Sequence, residues 1–156
     1  MKKICWFLII VLLIGYFAGC QNTQPPEPSK PTQPQDVPIE NPDGTLSDEM
    51  KEEMLLWYIN RGGRAQDFFW AEDNEGYGKL YCGTENGYVI YCSRGGMAVP
   101  VTIEIGEYKF SHSSEFHLRA YKDGEVFELK DLYEQGLISD DAIKAAWERH
   151  NAYKHR

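Results

Sequence analysis

The chain has 156 residues, 24 of them acidic against 16 basic, for a formal net charge of −8. Its basic residues are scattered, whereas phosphate backbones demand clustered positive charge, so nucleic acid is excluded as the expected partner.

Lys2 and Lys3 precede an almost unbroken apolar run from Ile4 to Ala18. That run matches the core of a signal peptide and is shorter than the roughly twenty residues of a spanning helix. Phe17-Ala18-Gly19-Cys20 then resembles the bacterial lipobox, in which small residues lead to a cysteine that is lipidated and becomes the first residue of the mature protein. Phe17 stands where the pattern usually has Leu. The resemblance implies a lipoprotein signal peptide over 1–19 and lipidation, palmitate included, at Cys20. Two or more acyl chains hold a protein stably to a bilayer where one does so only marginally. The expected location is therefore outside the cytoplasmic membrane and anchored to it by lipid, with an uncleaved anchor and ordinary secretion as the alternatives.

From Gln21 to Thr45 the composition is Pro, Gln, Thr, Ser and Glu, and Pro25, Pro26, Pro28, Pro31, Pro34, Pro38 and Pro42 interrupt helix and ladder alike. Residues 20–45 read as the lipidated cysteine and an extended linker. The remainder, 46–156, is enough for one core and too little for two, so a single small domain is expected.

Within it, Ser47 caps a helix with Asp48 and Glu49 in its first turn. Met50, Met54, Trp57, Tyr58 and Arg61 share one face before Gly62-Gly63 stops it. Strand patterns follow over 79–82, 88–93, 99–105, 108–112, 116–122 and 125–129, with Asn86-Gly87 and Asp123-Gly124 as hairpin turns and Gly106 turning a third. A short helix over 129–135 closes at Gly136. Ser139 then caps a last helix with Ile143, Ala146, Trp147 and His150 on one face. The expectation is an α+β fold: an antiparallel sheet of five or six short strands, apolar on one face and covered by an N-terminal helix and two C-terminal helices.

The stretch KDGEVFELKDLYEQGLISDDAIKAAWERHN, together with CGTENGYV upstream, resembles exported proteins and lipoproteins of Gram-positive bacteria. The resemblance implies a shared fold and a Gram-positive source; it brings no activity and no site residue.

Cys82 and Cys92 are the thiols left to the domain, and an exported compartment permits a disulfide between them. Register decides the geometry. A two-residue Asn86-Gly87 turn puts the thiols on opposite faces, while a three-residue loop puts them on one face but diagonal, about 7–8 Å apart. His112 and His117 point to opposite faces unless a four-residue loop joins their strands, and no zinc spacing accompanies them, so no metal and no cofactor is expected. EDNEGYG lacks the spaced acids and closing glutamate of a calcium loop and reads as a polar loop. Arg94-Gly95-Gly96 reads as a turn. The aromatic residues Trp70, Tyr77, Tyr81, Tyr88 and Tyr91 crowd one region, where they either form core or present a platform that stacks on wall sugars or anchors a protein.

The expected function is that of a non-catalytic binding or interaction domain tethered in the envelope, its partner an envelope protein or glycan. A wall hydrolase using acids such as Glu104, Glu107 and Glu115, and an inhibitor of a secreted enzyme, are the alternatives. No catalytic residue is assigned.

Overall fold

The computed structural model describes residues 37–72, 78–94 and 99–154. The signal segment, Cys20, most of the linker, Tyr77 and Gly95-Gly96 lie outside the described residues.

Helix α1 runs Asp48–Asn60. The side chain of Ser47 accepts the amide of Met50 at 3.1 Å, meeting one of the donors that a helix start leaves open. Strands β1 (Gly78–Glu85), β2 (Tyr88–Arg94), β5 (Phe116–Lys122) and β6 (Glu125–Glu128) form one antiparallel sheet in that order, while β3 (Val101–Ile105) and β4 (Tyr108–His112) pair only with each other. Helices α2 (Leu129–Glu134) and α3 (Asp140–Lys154) close the chain. The fold is thus α+β, with six strands and three helices.

Two features differ from the single one-faced sheet that the pattern suggests. First, β5 pairs directly with β2, so the β3–β4 hairpin is set aside from the sheet. Ile105 and Phe110 turn its apolar face into a core shared with α2, α3 and the sheet, and the Trp147 indole donates to the Lys109 carbonyl at 3.0 Å. Secondly, the sheet is apolar on both faces. Leu80, Ile90, Cys92, Leu118 and Ala120 pack under α2, α3 and the hairpin, whereas Tyr81, Val89, Tyr91 and Tyr121 pack under α1. The near-continuous burial along β1 and β2 is the signature of strands covered on both sides.

The folded unit also starts ahead of the Leu46 boundary. Val37 and Ile39 pack against the α1 cluster, the Ser47 amide donates to the Ile39 carbonyl at 3.0 Å, and Glu40 bridges to Leu46 and accepts the Tyr81 hydroxyl. Residues 37–45 are therefore part of the domain and not linker, held by the packing of Val37 and Ile39 together with these hydrogen bonds.

Candidate functional site

The β1–β2 hairpin has the two-residue turn of the two alternatives, Glu85 facing Tyr88, but its register slips between Tyr81 and Gly83. Cys82 is the extra residue of this bulge, and Gly83 accommodates it at a φ of +123°, a value that side chains rarely adopt. Leu80, not Cys82, faces Cys92. The slip brings both thiols to the face under α2 and α3 despite the two-residue turn, where both are buried and unbridged. Burial raises the Cys82 thiol, and the neighbouring Cys92 sulfur adds to the rise. Burial also pushes Cys92 up to about 11, against the opposing pull of Arg94.

Three of the aromatic residues singled out, Trp70, Tyr81 and Tyr91, belong to the core. Phe68, Trp70 and Tyr91 meet edge-on in a chain, and Tyr81 is buried in the same cluster. Tyr88 is half-buried beneath Phe127, with the Lys122 ammonium 4.7 Å from its ring centre. Strand alternation is the reason: Tyr81, Val89, Tyr91 and Tyr121 all take the inward phase beneath α1.

What this face leaves open lies past the C-terminal end of α1. There Trp57 and Tyr58 of the last helical turns, Phe69, and Lys79, Tyr91 and Arg119 of three adjacent strands line a pocket of about 350 Å³. The alternation that buries Tyr81 and Tyr121 also turns Lys79 and Arg119 onto this face. Lys79 faces Ser93 across the hairpin, and Arg119 faces Tyr91. The Lys79 ammonium stands 3.9 Å from the Phe68 ring centre and 5.2 Å from that of Tyr58, with no carboxylate in ion-pair range among the described residues. Burial, with the Arg119 guanidinium nearby, lowers it to about 8. Arg119 is engaged on one side by Glu128 at 2.9 Å.

Arg94, next to Ser93 on β2, takes the opposite phase, and its guanidinium stacks 4.5 Å from the Tyr153 ring centre, where it lines the cleft on the other side of β1. The carboxylate in the lining, Asp67, is held by Arg64 through contacts of 2.7 and 3.0 Å. The walls thus combine the aromatic surface of Trp57, Tyr58 and Phe69 with the positive charge of Lys79 and Arg119.

A second, wider cleft on the other side of β1 is lined by Glu40, Glu72, Glu148, Arg149 and Tyr153, and its charges largely answer one another, as in the Arg149–Glu72 pair at 3.5 Å. His112 accepts from the Ser114 amide at 3.1 Å and lies 6.1 Å from the ring of His150, which is buried under Phe110 and Phe116. His117 is apart from them on β5, beside Glu115 at 3.6 Å. No group of three or more His, Cys, Asp or Glu with metal-binding geometry occurs among the described residues. Glu104 pairs with Lys109 on the exposed hairpin and Glu107 sits in its turn, both outside the two pockets.

No helix of the described residues is long and apolar enough to cross a membrane. No protein-family model, curated protein or solved structure matches the chain.

Sequence reasoning missed Lys79, Arg119 and Trp57 as a group. The signal was present in the period-2 phase: Lys79 shares its face with Tyr81, and Arg119 shares its face with Tyr121. A basic residue on the inward phase of a strand is costly, which singles it out.

Proposed function

We propose that the chain is a lipid-anchored envelope protein whose domain is a non-catalytic binding module, with the Lys79 pocket as its binding site. The lipobox-like Phe17-Ala18-Gly19-Cys20 and the proline-rich stretch after it support the anchor and tether. The observation that carries the binding role is Lys79, a cation drawn largely out of water without a carboxylate partner among the described residues. Such an arrangement costs stability unless a bound group supplies the missing charge.

Intact mass spectrometry of the membrane fraction, wild type against Cys20→Ala, tests the anchor. A mass lacking residues 1–19 and carrying a diacylglyceryl group, absent from the variant, is expected. An unprocessed chain or a cleaved chain without lipid contradicts it.

A further inference from the structure

The Lys79 ammonium lines this pocket with no carboxylate in ion-pair range among the described residues. Arg119 adds a second positive charge, half-answered by Glu128, and Asp67 is already taken by Arg64. An occupant that satisfies this wall must bring acceptors and negative charge, since a cation or a further donor would meet only like groups. Trp57, Tyr58 and Phe69 offer flat apolar surface beside those donors, which suits a planar or apolar body joined to the charged head. The volume of about 350 Å³ lies near the lower end of ligand pockets, room for a molecule of about one ring.

We propose that the pocket between α1 and strands β1, β2 and β5 binds a small organic oxyanion, a carboxylate or phosphate head on a planar apolar body, with Lys79 as the principal cation and Trp57 and Tyr58 flanking the body. This rests on the reading of the pocket as a binding site. The two head groups share one chemistry, oxygen acceptors carrying negative charge, and the pocket meets either.

The test is titration of the full-length protein in a neutral detergent with benzoate, phenyl phosphate and the neutral benzamide, read by calorimetry and by amide NMR shifts. The expected result is saturable binding of benzoate or phenyl phosphate at least about tenfold tighter than benzamide, weakened by rising salt. The tighter of the two anions tells a carboxylate source from a phosphate source. Lys79→Met should lower that affinity about tenfold or more, and Lys79→Arg should lose less. Thermal unfolding checks that Lys79→Met is folded, and Arg119→Gln gives an independent reading by weakening the same anion. Benzamide binding as tightly as the anions, and lost in Trp57→Leu, would leave a binding site and overturn the anion. No binding of any probe would overturn both. Anion binding unchanged in Lys79→Met and Arg119→Gln would place the anion elsewhere and overturn this site.

Discussion

Lys79 and Phe68 face each other at 3.9 Å, ammonium to ring centre, in a contact that takes the place of an ion pair. Ring faces return about 1 kcal/mol or somewhat more to a cation, less than the desolvation they accompany, and the lowered affinity of Lys79 for its proton records that deficit. Lys79→Met is therefore expected to raise stability at pH 7, by about 1 kcal/mol, while removing the cation from the pocket. Denaturant unfolding measures it; a clear loss of stability would show that the ammonium is well satisfied.

The pH dependence follows with a definite sign. Lys79 titrates near 8 in the folded chain against an ordinary 10.5, so between these values the unfolded chain binds more protons and stability rises with pH. The groups facing Lys79 are Tyr58 of α1, Asp67 held by Arg64, Tyr91 of β2 and Arg119 of β5. Of these Tyr91 opposes the trend above about pH 10, because burial pushes its hydroxyl up to about 12. The buried Cys82 and Cys92 thiols, raised from about 9, oppose the trend in the wild type and the variant alike, so the expected result is a stability difference between wild type and Lys79→Met that moves in favour of the wild type from about pH 8 to 10.

Ser47 ties the segment before α1 to the helix itself. Its side chain accepts the Met50 amide at 3.1 Å and its hydroxyl donates to the Pro38 carbonyl. Ser47→Ala should cost about 1–2 kcal/mol, and hydrogen exchange should show residues 37–45 opening more readily. Exchange unchanged in that segment would mean that Val37 and Ile39 hold it by packing alone.

At the pocket edge Gly78 has a φ of +112°, and a Cβ there would stand 2.6 Å from the Phe69 carbonyl oxygen. Gly78→Ala is expected to cost about 2 kcal/mol and to move Phe69 from the pocket wall. Thermal unfolding and the aromatic NMR shifts of Phe69 check the two effects separately.

The thiols of Cys82 and Cys92 should resist modification in the folded protein at pH 8. Both are buried and burial holds both above the ordinary thiol range. A thiol reagent is expected to label them only on unfolding; rapid labelling of the native chain would contradict the packing around the bulge.

Much of this fold was legible because its turns and caps carry their own chemistry. Asn86 and Asp123 do take positive φ, at 51° and 50°, ahead of Gly87 and Gly124, and Ser47 caps α1 where expected. Sheet membership was not legible, since the pairing of β2 with β5 joins strands separated by a whole hairpin and is decided by which apolar faces meet. The bulge at Cys82 escaped for a related reason: one added residue changes the face of a thiol without changing the turn that flanks it. The aromatic residues of β1 and β2 carried no mark separating core from contact. The site was hidden in what looked like ordinary strand charges, and only the burial of their neighbours shows Lys79 and Arg119 turned inward.

The most direct test is an NMR pH titration of the Lys79 side chain, assigned by comparison with Lys79→Met. A midpoint near 8 is expected of an ammonium held largely out of water with no counter-charge among the described residues. A midpoint at the ordinary 10.5 would mean a solvated or paired lysine and would contradict the account of the pocket as a site awaiting an anion.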